Sequence, residues 1–148
     1  MPNDQTPLQN VTDPAAIVQE VINRSGFMAM IGTRVAHVDR GKVSLELQRA
    51  SNLLQFDGFF HGGVIASLAD YAGACAAVVS ARPGVPVLTS NLNVTYLAPA
   101  KGQRLRTDAT CIKTGGRLRA SRVDVFSDED GTPRLVAIAD VLVSVKTV

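Results

Sequence analysis

From Gly62 to Ala81 the chain is almost uniformly apolar, while the segments around it alternate between apolar and polar positions. Val43, Leu45 and Leu47 alternate with Lys42, Ser44, Glu46 and Gln48, a period of two that predicts a half-buried strand. With Thr33–Val38 across the turn Asp39-Arg40-Gly41, it forms a predicted hairpin. Asp13 is a suitable N-cap with Pro14 at the first helical position, so residues 15–24 read as a short amphipathic helix. Phe27–Ile31 reads as a turn or strand lead-in, and Ala50–Phe60, without clean period, as a loop. After the apolar segment, Arg82-Pro83-Gly84 is a strong helix stop. Four strand-like segments follow, Val87–Leu97, Arg104–Lys113, Leu118–Ser127 and Arg134–Val145. Short turns between the last three imply antiparallel pairing.

The long apolar segment fits a helix with two faces. At 100° per residue Val64, Ile65, Leu68, Tyr71, Ala72, Cys75, Val78 and Val79 share the side expected to meet a sheet. Opposite them stand Gly63, Ala66, Ser67, Asp70, Gly73, Ala74 and Ala77, small residues with a single carboxylate. A solvent face would carry Lys, Glu or Gln, so this stripe is expected to meet a second subunit with a channel beside it. The segment is long enough to span a bilayer, but Asp70 near its middle would cost roughly 2.5–3.5 kcal/mol there. No membrane role is expected. A helix this apolar must be wrapped by the sheet, which makes the class α+β.

Composition narrows the function little. At 148 residues the chain has room for one sizeable core, with residues 1–13 as a flexible tail and 14–148 as a single domain. A net charge of +2 and the absence of Trp give no sign of a nucleic-acid partner. From Lys101 to Arg122, however, seven basic residues face one acid, Asp108, a stripe that could hold phosphates. Cys75 and Cys111 have no metal-ligand spacing, so no metal is expected. The polar N-terminus lacks the order of a secretory signal, and the expected location is cytoplasmic.

The candidate chemistry lies at the start of the long helix. His61-Gly62-Gly63 places unpaired N–H groups at the positive end of the helix dipole, where they can stabilise an anion or a developing oxyanion. Gly62 and Asp70 are eight residues apart, about 12 Å of helix rise, too far for one carbonyl to touch both within one chain. If both act on one substrate, two antiparallel helices of a symmetric dimer must supply them.

Gly58-Phe59-Phe60-His61-Gly62-Gly63-Val64-Ile65-Ala66-Ser67-Leu68-Ala69-Asp70, followed by Ser90-Asn91-Leu92-Asn93-Val94-Thr95-Tyr96-Leu97-Ala98-Pro99-Ala100, resembles the hotdog-fold acyl-CoA thioesterases of the phenylacetate-degradation (PaaI-like) type. The resemblance implies a central helix wrapped by a curved antiparallel sheet of about six strands, assembled as a homodimer and commonly a homotetramer. It implies hydrolysis of an aromatic or medium-chain acyl-CoA, coenzyme A entering only as part of the substrate and no separate cofactor. Gly62 would donate its N–H to the thioester carbonyl, and Asp70 of the facing subunit would be nucleophile or general base. Gln55 would orient the carbonyl or the water, and Thr89 would help to position the water. His61, as a loop and helix-cap residue, Gly63 and Ala74 would line the substrate. Arg117, in the Gly115-Gly116-Arg117 turn, or Lys113 or Arg119, would meet the nucleotide end. Two alternatives are an enoyl-thioester hydratase or dehydratase of the same fold and a non-catalytic acyl-thioester binding protein. Acyl carrier protein is an alternative thiol carrier.

Overall fold

The computed structural model describes residues 12–81 and 85–146. Most of the expected tail, and the Arg82-Pro83-Gly84 stop, lie outside the described residues. The elements run α1 (Pro14–Arg24), α2 (Gly26–Met30), β1 (Arg34–Asp39), β2 (Lys42–Gln48), α3 (Gly62–Val79), β3 (Val87–Tyr96), β4 (Arg104–Lys113), β5 (Leu118–Glu129) and β6 (Thr132–Val145). The six strands form one antiparallel sheet in the order β1-β2-β4-β5-β6-β3, with α3 packed on it. This is the α+β hotdog arrangement that the sequence led us to expect.

Local chemistry accounts for the element ends. The Asp13 carboxylate accepts from Ala15 N at 3.1 Å, capping α1 with Pro14 inside its first turn. Asp130 and Gly131 have φ of 50° and 82°, the left-handed pair that a two-residue hairpin turn requires. The turn is therefore tighter than the polar run Asp128–Gly131 suggests, and β5 and β6 extend into it. Phe27–Ile31 departs from expectation: α2 is one helical turn, closed by Ala29 N to Ser25 O and Ile31 N to Phe27 O. One turn is too short to show a period, and Met28 is its buried anchor. The loop Ala50–Phe60 contains a single 3-10 turn, Ser51–Leu53, and a lone bridge from Leu54 to Phe60.

The faces of α3 also need correcting. Gly73 and Ala77, expected on the open side, are buried, as are Ala69 and Ala76. Val64, Tyr71, Val78 and Val79 are only half-buried. The helix lies so close to the sheet that small residues make the central contact. A Cβ built on Gly73 would stand 2.6 Å from Val141 Cγ2 and 2.7 Å from Val141 Cβ. Gly63, Ser67, Asp70 and Ala74 remain on the open side, away from the buried face. By length and composition α3 could cross a membrane, yet its Ile65, Leu68 and Ala72 side chains are buried in this core with Leu45, Leu105 and Val123.

The sheet ends are treated differently. Gln19 Oε1 on α1 accepts from Val35 N at 3.0 Å and so covers the β1 edge. No described strand pairs with the outer edge of β3, whose ten residues are mostly exposed. A long bare edge is a template for pairing with another chain.

Two stability predictions follow from the core. Gly73→Ala should gain about 1 kcal/mol of helix propensity and lose more to overpacking, for a net destabilisation of about 1–2 kcal/mol in urea titrations. Combined with Val141→Ala, it should cost less than the two single losses added. Burial raises the Cys75 thiol from 9.0 to about 12, and burial followed by the Cys75 charge raises the Tyr71 phenol from 10.0 to about 12. The unfolded chain releases these protons first, so this stability is fully present below pH 9 and lost as pH rises towards 12. The melting temperature should fall over that range, and less steeply in Cys75→Ala.

Candidate active site

His61 stands at the N-cap of α3 with extended φ and ψ of −64° and 138°. Its Nδ1 accepts from Gly63 N at 2.9 Å, and its carbonyl accepts from Val64 N and Ile65 N. A neutral His61 in this role carries its proton on Nε2. Among the described residues nothing accepts from the N–H of Gly62, half-buried between them. The first turn therefore offers one unclaimed donor at the positive end of the dipole, and it belongs to Gly62 rather than to Gly63.

Gln55 and Gly62 share the wall of a cavity of about 410 Å³, otherwise lined mainly by Phe59, Phe60, Ile65, Tyr96, Leu97 and Pro99. Gln55 is shaped by its own turn: its Oε1 accepts from Asp57 N, and its carbonyl from Gly58 N. Arg49 fastens that turn to the strand connection opposite. Its guanidinium donates to the Gly58 carbonyl on one side and to the Lys101 and Gly102 carbonyls, at 3.2 and 3.3 Å, on the other.

Asp70 lies two turns further along α3 and is not part of this cavity wall. Thr89 Oγ1 donates to its Oδ1 at 2.8 Å. The structure thus brings Gln55 to Gly62 and Thr89 to Asp70, and leaves the two pairs apart within one chain. Ala74 follows Asp70 by one turn, half-buried on the same side.

Both pairs are tied to β3. Tyr96 Oη donates to the Gly62 carbonyl at 2.7 Å, as Thr89 does to Asp70. Residues seven apart on a regular strand point to opposite faces. A bulge between Thr89 and Asn91 adds one residue, so both side chains reach α3. Sequence reasoning assigned Tyr96 no role, because a bulge leaves no mark in an alternating pattern. Arg49 was likewise missed, since its partners are carbonyls far away in the chain.

The basic stripe divides. Arg117 is exposed beside a hollow it shares with Leu118, Ser144, Val145 and Lys146. Lys113 Nζ donates to the Leu118 carbonyl at 2.7 Å and so closes its own turn. Arg119 cannot face a soluble nucleotide from its present position: it is 6% exposed and donates to the Ala77 carbonyl at 2.8 Å. Its alternation phase points it under the C-terminal end of α3, where a cation complements the helix dipole. Among the described residues no group of three His, Cys, Asp or Glu could hold a metal ion, and His37 lies away on β1.

Comparison with known proteins bears on the family and the fold. A family model described as thioesterase superfamily matches residues 57–134. A putative esterase of Halobacterium salinarum is 32% identical over 124 residues, covering 80% of this chain and 81% of its own. A 1,4-dihydroxy-2-naphthoyl-CoA hydrolase of Listeria monocytogenes is 27% identical, with 82% and 96% covered. Among solved structures, a thioesterase family protein of Silicibacter pomeroyi has a TM-score of 0.85 at 28% identity, covering 90% of this chain and 98% of its own. A mutant of the phenylacetic acid degradation protein PaaI of Thermus thermophilus has a TM-score of 0.68 at 25% identity, with 80% and 96% covered. The chain therefore belongs to the thioesterase superfamily and is a thioester hydrolase of hotdog fold.

Proposed function

We propose that the protein hydrolyses an aromatic or medium-chain acyl-CoA to the free acid and coenzyme A, at two equivalent sites that each combine residues of two chains. The observation that carries this reading is the pair of hydrogen bonds from β3, Thr89 to Asp70 and Tyr96 to Gly62. With β3 the bare edge of the sheet, two copies pairing antiparallel about Leu92 and Asn93 would bring Thr89 of one chain opposite Tyr96 of the other. Each Gly62 would then have the partner's Asp70 beside it. This arrangement removes the gap along α3 that separates the two residues in one chain.

In such a site the Gly62 N–H donates to the thioester oxygen and stabilises the negative charge that grows there. Gln55, on the same wall, orients the carbonyl or the water. Thr89 holds Oδ1 of Asp70 and leaves Oδ2 to attack the carbonyl carbon or to take the proton of the attacking water. On the first route the carbon–sulfur bond breaks as the thiolate of coenzyme A leaves and a mixed anhydride with Asp70 forms, which water then cleaves to free the acid. On the second, the water oxygen bonds to the carbon directly as the thiolate leaves. Phe59, Phe60, Ile65, Leu97 and Pro99 give the acyl group an apolar wall, and the activity named for the Listeria relative, on a naphthoyl thioester, supports an aromatic acyl group. Arg117, exposed beside its own hollow, would meet the phosphates of the carrier.

Two variants test the shared site. Asp70→Asn should lower thiol release from acyl-CoA by about 10²–10³-fold. Gly62→Pro deletes the donor at a first helical position after an extended residue, where the backbone accepts proline, with its Cβ pressing on Tyr96 at 3.3 Å, and should cost at least about 10²-fold in kcat. Co-expressed in equal amounts, the two inactive chains should recover about a quarter of wild-type activity, because half the dimers are mixed and each has one intact site. No recovery, from mixed dimers shown to form, would place both residues in a single-chain site or in none.

A further inference from the structure

We infer that Tyr96 is the positioning residue for the Gly62 donor, an inference that rests on the function proposed above. The Gly62–Gly63 peptide is held at both ends. Its carbonyl accepts from Tyr96 Oη at 2.7 Å, and its N–H donates to His61 Nδ1 at 2.9 Å. Hydrogen bonds in such a chain polarise one another, each strengthening the next. The adjoining His61–Gly62 peptide carries the one N–H left for substrate; its carbonyl accepts from Val64 N and Ile65 N, and the two peptides meet at the pivot of the Gly62 Cα, whose other side Tyr96 holds.

Glycine is the residue least able to hold that pivot by itself, because it has no side chain to restrict φ and ψ. Tyr96 supplies the restriction from outside. Its Cζ and Oη stand 3.3 Å, and its Cε1 3.5 Å, from where a Cβ of Gly62 would be, so the tyrosine packs directly against the bare side of the glycine. Tyr96 is itself anchored as the last residue of β3, and the next residue bonds Leu97 N to Val136 O at 2.8 Å. A rigid strand end thus sets the direction of a donor on a different element. Catalysis by an oxyanion donor depends on its being aimed before charge develops, so loosening it costs rate rather than affinity.

The test is Tyr96→Phe, which keeps the ring and removes only the hydroxyl. We expect kcat to fall about 10-fold on the best acyl-CoA of a panel, with KM within about two-fold and the melting temperature close to wild type. Binding of the same acyl-CoA to Asp70→Asn, with and without Tyr96→Phe, should give equal dissociation constants. A raised KM or weaker binding with kcat unchanged would make Tyr96 a direct substrate contact and overturn the assignment. An unchanged kcat and KM would also overturn it. Failure of the underlying function reads differently: full turnover by Asp70→Asn removes Asp70 and the shared site proposed above, whereas an inactive Asp70→Asn beside a fully active Tyr96→Phe removes only the role of Tyr96.

Discussion

The close approach of α3 to the sheet at Gly73 is the constraint on which the other features depend. With no side chain there, the helix settles onto Val141 at a distance that even a methyl group would forbid. That closeness lets side chains of the sheet reach helix carbonyls. Ser121 donates to the Gly73 carbonyl at 2.8 Å, and Arg119 to that of Ala77. Gly41, in the β1–β2 turn, donates its N–H to the Val79 carbonyl. The helix is thus held in rotation and register as well as buried.

Holding the helix at that rotation decides which residues remain open. Ile65, Leu68, Ala69, Ala72 and Ala76 are buried, and Gly63, Ser67, Asp70 and Ala74 remain on the open side, Asp70 bonded to Thr89 on the edge strand β3. The two ends of this stripe are fixed by the same strand, through Thr89 at one end and Tyr96 at the other. The hydrolysis proposed above needs an aimed donor and a carboxylate beside one carbonyl. Within one chain Gly62 and Asp70 are held separately, and the bare strand edge is where a second copy would join them.

The sequence alone determined the class, the strand count, the long helix and the HGG segment with its acid. Each of these rests on local periodicity or on neighbouring residues, where side-chain chemistry acts directly on the backbone: Asp13 and Pro14 start α1, and alternation marks β2. The separation of Gly62 from Asp70 was also legible, because helix rise is fixed. Tertiary structure decided what depends on distance between elements. Gly73 faces the sheet because small residues permit close packing, whereas hydrophobicity by itself pointed to the bulkier side. Arg119 is buried because its strand phase directs it under the helix, and charge alone could not reveal that. Thr89 and Tyr96 reach the same helix only because a bulge shifts the strand between them by one residue, a property of pairing geometry that no local pattern encodes.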